Sequence, residues 1–144
     1  MSATAQRAAD VMWAADRASQ GMGIEVLAVA PGTATLAMVV SDAMVNGHDT
    51  AHGGFIFALA DSAFAYACNS YGTVTVAAQA SISFIRPGRR GDRLVARARE
   101  VSRIGRSGIY DVSVSVGEQV IAEFRGHSRT ISGSFTQEAK EGTK

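Results

Sequence analysis

One carboxylate, Asp61, sits in the middle of a segment almost free of other charge, Gly53-Gly54-Phe55-Ile56-Phe57-Ala58-Leu59-Ala60-Asp61-Ser62-Ala63-Phe64-Ala65-Tyr66-Ala67-Cys68. A helix that is apolar all round is a buried helix. An aspartate is almost never fully buried without a partner. Asp61 therefore either pairs with an arginine or a helix cap, or faces a cleft where it can take a proton or attack an electrophile. Just upstream stand Asn46, His48, Asp49, His52, Gly53 and Gly54, the chain's densest group of polar side chains and flexible backbone. That adjacency makes the region the first candidate for a site.

A metal is the first chemistry to weigh there. Histidines four apart, His48 and His52, suit zinc when they lie on a helix, with Asp61 as a third ligand. Gly47, Asp49 and Thr50 instead read as a loop, and no other ligand-rich motif stands nearby. No metal and no cofactor is expected.

The elements that must hold these residues can be read from the pattern. The 144 residues make one domain, 1–144, with a composition ordinary for a globular protein. A net charge of +1 gives no general drive toward nucleic acid. Cys68 is the only cysteine, which excludes an intrachain disulfide and fits a reducing cytoplasm. The N-terminus lacks a basic stretch followed by an apolar core, so no secretory signal is expected. The one long apolar run is short for a membrane span and carries Asp61 at its centre, so it reads as a core helix.

Helical spacing of Ala8, Val11, Met12, Ala15 and Ala18 predicts a first helix over Ala3 to Ser19, within about residues 1–20, ended by Gly21 and Gly23. Strands follow at Ile24 to Ala30 and Thr33 to Val40, joined by a Pro31-Gly32 turn. Ser41 to His52 is polar and irregular. The buried helix starts at Gly53, runs for about eighteen residues and is closed by Asn69-Ser70-Tyr71-Gly72. Strands are then expected at Val74 to Ile85, Arg93 to Val101, Tyr110 to Val116 and Gln119 to Ile131, with a frayed tail over 134–144. Four consecutive strands on short turns imply an antiparallel sheet. The class is α+β, one helix against one sheet, and the sheet's edges need covering, which a dimer would do.

Several stretches carry a family likeness: Asn46-Gly47-His48, Ala51-His52-Gly53-Gly54, the run Leu59 to Ser70, Phe84-Ile85-Arg86-Pro87-Gly88, Gly91-Asp92, Gly108-Ile109-Tyr110-Asp111 and Phe124-Arg125-Gly126. Together they resemble the hotdog-fold acyl-CoA thioesterases of the phenylacetic-acid-degradation (PaaI) type, over nearly the whole chain. The resemblance implies a long central helix wrapped by a curved antiparallel sheet, here with an extra N-terminal helix. It also implies a homo-oligomer, a dimer of dimers, with active sites at the dimer interface. The helix acid would come from one protomer, and the Asn and glycine loop from the other. The implied substrate is an acyl-CoA thioester; neither nucleic acid nor membrane is expected as a partner.

Thioester hydrolysis needs a polarised carbonyl and a nucleophile. Unsatisfied N–H groups at a helix start carry partial positive charge, so Gly53, with Gly54 as a second donor, can hold the carbonyl oxygen as charge builds on it. Glycine admits a substrate close to the backbone, though Gly-Gly equally marks an ordinary turn. Asp61 would serve as general base on water or as direct nucleophile. Asn46 would position water or the acid, or simply make an Asn-Gly turn. His52 would donate to the carbonyl or cap the loop, and Thr73 or Thr75 would touch the acid. Coenzyme A carries phosphates, which arginine forks match. Arg86, Arg89 and Arg90 in one turn and Arg103 and Arg106 in another are the candidates, against the alternative of a solvated basic face. Phe57 and Phe64 are expected in the acyl pocket. Two other readings stand beside hydrolysis. One is a hotdog-fold enoyl-CoA hydratase using Asp42 with His48 or His52, and the other a non-catalytic acyl-CoA-binding protein.

Overall fold

A computed structural model describes residues 3–134. The expected first helix is broken in two, α1 (Ala3–Ala15) and α2 (Arg17–Gly21). The cause is Asp16, whose carboxylate accepts the N–H of Ser19 at 3.1 Å and so caps a new helix rather than continuing the old one. The other oxygen of Asp16 accepts the hydroxyl of Tyr66 at 3.1 Å, which ties this corner to the central helix.

The strands are β1 (Glu25–Ala30), β2 (Thr33–Val39), β3 (Thr73–Phe84), β4 (Arg93–Ile104), β5 (Ser107–Val116) and β6 (Gln119–Ser134). The last three are longer than the alternation suggested, because bulges carry the pairing past the break in pattern, as between Glu100 and Ser102. The expected loose tail lies outside the described residues, except for Ser134 at the end of β6.

All neighbours are antiparallel, in the order β1-β2-β4-β5-β6-β3. The late strands are therefore not a simple meander. β3 lies at the far edge beside β6, with Ile82 opposite Phe124, and residues 85–92 cross back to bring β4 beside β2. This crossing matters for the site, because it carries the Arg86-Pro87-Gly88 turn past the start of the central helix.

The central helix, α3 (Gly53–Cys68), has sixteen residues. Asn69 closes it. Its amide donates to the carbonyls of Ala65 at 2.8 Å and Thr75 at 2.9 Å, and its oxygen accepts the Thr75 N–H at 2.8 Å. One face of α3 is buried against the inner face of the sheet, where Leu59, Ala63, Phe64 and Ala67 meet Leu36, Leu94, Val112 and Phe124. A fully buried leucine or phenylalanine contributes roughly 1.5–3 kcal/mol. The helix is not buried all round, as its composition suggested. Gly54, Ala58, Asp61, Ser62 and Ala65 follow helical spacing and form a stripe that is exposed at Gly54 and partly buried along the rest. No described helix is long and apolar enough to cross a membrane.

Close approach of α3 to β6 depends on Gly126. A Cβ there would lie 2.7 Å from the Phe64 ring, which is itself held between Tyr110 and Phe124 at centroid distances of 5.8 and 5.7 Å. Gly126→Ala is expected to destabilise the protein by about 1–3 kcal/mol through overpacking, read as a lower urea midpoint at unchanged slope.

Candidate active site at the start of the central helix

The loop before α3 folds on itself through Asn46. Its Oδ1 accepts the N–H of His48 at 2.9 Å, the N–H of Thr50 at 3.2 Å and the Thr50 hydroxyl at 3.1 Å. Such a ring of contacts is the ordinary work of an asparagine in a turn. The oxygen is spent, so only the amide NH2 of Asn46 is left to face a substrate or water. A short 3-10 turn, Asp42–Met44, opens the loop, and a bridge between Val45 and Ala51 narrows it. The Ala51 N–H then donates to the Gly88 carbonyl at 2.7 Å, and the His52 N–H to the Met44 carbonyl at 2.7 Å.

His52 is the N-cap of α3, and its Nδ1 accepts the N–H of Gly54 at 3.0 Å. Two consequences follow. The proton of the neutral ring must sit on Nε2, which leaves an exposed donor. The Gly54 N–H is occupied, so the second oxyanion donor that the sequence offered is already satisfied. The N–H of Gly53 has no partner among the described residues, as expected of the first residue of a helix. It is a free, partly positive donor at the start of α3.

Beside it lies a cavity of about 300 Å3 lined by Ala51, Gly53, Ile56, Phe84, Ile85, Arg86 and Pro87. Phe84 defines this wall: a Cβ on residue 53 would come within 3.0 Å of its ring. The Phe84 contact is what favours glycine here, since any residue but proline would keep the N–H. Alternation along β3 sets Phe84 on the same side of the strand as Ala80 and Ile82. The ring is 53% exposed, and the signal that could have found it was its place at the very end of β3, just before the Arg86-Pro87-Gly88 crossing.

Asp61 lies on the open stripe of α3, half-buried, with no hydrogen bond or ion pair among the described residues. The alternative of an internal arginine pair or cap is therefore not realised. Burial pushes its carboxyl above the ordinary value of 3.8. Thr75 makes no hydrogen bond to it within one copy; the Thr75 hydroxyl donates to the Thr73 carbonyl at 2.9 Å, and its N–H is held by Asn69. The Cys68 thiol is pushed up to about 12, chiefly by burial, which makes it an inert core group rather than a nucleophile.

Other expected residues separate into two sets. Phe57 is half-buried with its ring edge on Phe124 at 5.5 Å. Phe64 is 1% exposed and belongs to the helix–sheet core, so it cannot line an open acyl pocket. Arg86 stands exposed at the rim of the cavity, and Arg89 is exposed nearby. Arg90 is not free: it pairs with Asp49 and, at 3.5 Å, with Asp42. Arg103 stacks over the Tyr71 ring at 3.5 Å and lies 3.9 Å from Glu100. Arg106 is exposed in the β4–β5 turn, beside Cys68 and Thr73. The two arginine turns thus flank opposite ends of a sixteen-residue helix, about 24 Å long, so one copy of the chain does not gather them into one phosphate site. Among the described residues no group of three or more His, Cys, Asp and Glu could hold a metal.

The family profile described as "Thioesterase superfamily" matches residues 48–123, which span the loop, α3 and most of the sheet. The acyl-coenzyme A thioesterase PaaI of Escherichia coli K12 is 41% identical over 140 residues, covering 96% of this chain and all of that one. The solved structure of the E. coli PaaI protein, from the phenylacetic acid degradation operon, superposes with a TM-score of 0.91 at 40% identity, covering 93% of this chain and 98% of that one. A Streptococcus mutans protein solved with acetyl-CoA bound superposes with a TM-score of 0.74 at 26% identity, over 77% and 90% of the two chains. Sequence and fold agree along nearly the whole length, and the chain belongs to the thioesterase superfamily, with the hotdog architecture of its PaaI-type members.

Proposed function

We propose that the protein hydrolyses acyl-CoA thioesters, with arylacetyl-CoA compounds such as phenylacetyl-CoA as the preferred class. The observation that carries this reading is Asp61, a half-buried carboxylate with no partner in its own copy, on the same helix as a free Gly53 N–H. The E. coli relative is named an acyl-CoA thioesterase, which supports the choice of substrate class.

Helix geometry sets the arrangement. Eight residues separate Gly53 from Asp61, so the two lie about 12 Å apart along the axis. An aspartate side chain is too short to close that gap onto one carbonyl. The complete site therefore pairs Asp61 of one copy with the Gly53 N–H of a second copy. A homo-oligomer, a dimer or a dimer of dimers, follows from that need, and a lone buried cysteine fits a cytoplasmic setting.

The steps are then simple. The Gly53 N–H donates a hydrogen bond to the thioester oxygen and stabilises it as it becomes an oxyanion. Asp61, its pKa raised toward the working pH, takes a proton from water as the water attacks the carbonyl carbon. The tetrahedral intermediate collapses, the C–S bond breaks, Asp61 returns its proton to the departing sulfur, and the free acid and the CoA thiol leave. The cavity beside Phe84 and Ile85 receives apolar substrate, and Arg86 at its rim stands available to a phosphate. A hydratase would need Asp42 aimed at an acyl chain, but its side chain is 85% exposed and faces Arg90.

Asp61→Asn should cut kcat at least tenfold on phenylacetyl-CoA, a barrier increase of about 1.4 kcal/mol or more, with assembly unchanged by light scattering. The same variant should be more stable than wild type at pH 7. A raised folded-state pKa means that the folded protein binds this proton more tightly than the unfolded chain, so stability falls as pH rises from 3.8 through the folded-state value. The gain in thermal midpoint should close below pH 3.8. Gly53→Pro removes the donor and should be inactive. Mixing it with Asp61→Asn under subunit exchange should restore activity, because half the sites in a mixed dimer carry neither defect. No recovery despite proven mixing would place the site within one copy. A turnover screen across aryl, short-chain and long-chain CoA esters tests the substrate class, and zero turnover throughout would leave a binding protein.

A further inference from the structure

The loop before α3 decides where the Gly53 N–H points, and one side chain from outside grips that loop at two places. Arg90, in the connection between β3 and β4, pairs with Asp49 through Nη2 and with Asp42 at 3.5 Å through Nη1. Asp42 begins the loop's 3-10 turn, and Asp49 stands near its tip, four residues before Gly53. Asp49 is also the one non-glycine residue with a positive φ among the described residues, at 62°. That conformation carries a modest cost for an L-residue, least for Asp and Asn among those with a side chain. A glycine would adopt it freely. An aspartate there accepts that cost and supplies the carboxylate that Arg90 engages. The main chain runs the same way: Thr50 bridges to Arg89, and the Ala51 N–H donates to Gly88.

We propose that Arg90 is a positioning residue for the Gly53 donor. Through Asp42 and Asp49 it staples the loop to the β3–β4 connection, and it is not a ligand for substrate phosphate. This inference rests on the thioesterase reading above. Exposed ion pairs add little to global stability, so the effect is local. A small displacement of a donor from a reacting oxygen is enough to cost rate.

The test uses Arg90→Ala and Asp49→Gly, the second of which relieves that backbone cost while removing the carboxylate. Each is assayed with phenylacetyl-CoA and with the phenylacetyl thioester of N-acetylcysteamine, which has no phosphate. Both variants should lose about tenfold in kcat on both substrates, with KM within about twofold and the thermal midpoint within about 2 °C of wild type. Arg90→Lys should recover part of the rate. Amide exchange at Ala51 and His52 should quicken in Arg90→Ala. A rise in KM confined to the CoA ester, with kcat kept, would assign Arg90 to phosphate and overturn the proposal. So would unchanged kcat on both substrates. If wild-type protein turns over neither ester, the thioesterase reading fails by itself, and the exchange measurement still decides the staple: unchanged exchange at Ala51 and His52 overturns it.

Discussion

Leu59, Ala63, Phe64 and Ala67 lock one face of α3 onto the sheet, and a helix held this way can neither turn nor slide. Its rise per residue is then a ruler. Whatever sits at Gly53 and at Asp61 is held about 12 Å apart along the axis, whatever the solvent or ligand does. Small residues let the ruler lie close: Ala60, Ala63 and Ala67 on the helix, and Gly126 beneath Phe64 on the sheet. The chemistry proposed for this protein inherits that rigidity. Donor and acid are well placed individually, and no side-chain motion in a single copy can bring them to one carbon.

The electrostatics of the two ends differ in kind. At Gly53 the positive character is built from backbone and needs no titratable group, so it persists at any pH at which the fold persists. At Asp61 the negative character is held at a cost, because burial favours the neutral acid and no cation offsets it. An uncompensated group of this sort is what stability alone would remove. Its presence is intelligible where activity needs a carboxylate of raised basicity in a place that water reaches only partly. The other titratable groups are arranged conservatively. Asp111 is held below the usual carboxylate range, first by its hydrogen bond to Arg125, and Tyr71 and Tyr110 both donate to Glu100.

Much of this was legible in the residues. Period-two alternation in 94–98 and 110–116 gave strands and faces, and the run from Gly53 gave the core helix, because burial of apolar side chains is a local pattern before it is a tertiary fact. Asp61 was conspicuous for the same reason. What escaped was set by contacts distant in sequence. That β3 pairs with β6 rather than β4 is decided by the whole sheet, and no local spacing encodes it. Phe64 read as a pocket residue because composition cannot tell the sheet-facing side of an apolar helix from its open side. The occupation of Gly54 by His52 and of Arg90 by two aspartates depends on loop conformation, as does the break at Asp16, where one side-chain hydrogen bond outweighed a good helical pattern. The oligomeric arrangement was implied by resemblance, and the residues add an argument of their own.

That argument lies in the two edges of the sheet. Both β1 and β3 present unpaired backbone, the usual invitation to unwanted association. β1 is short, bears Glu25, is bulged between Val26 and Ala28, and is flanked by α1 through a groove that includes Gln6 and Trp13. These are the ordinary means of blunting an edge. β3 has twelve residues, Thr-Val-Thr-Val-Ala-Ala-Gln-Ala-Ser-Ile-Ser-Phe, with neither a charge nor a proline among them, and Val76 to Gln79 are exposed. An edge so long and so unprotected suits a strand meant to be paired. It ends at Phe84, against the cavity and the free N–H of Gly53. A second copy that added its own β3 there would continue the sheet and cover the exposed edge.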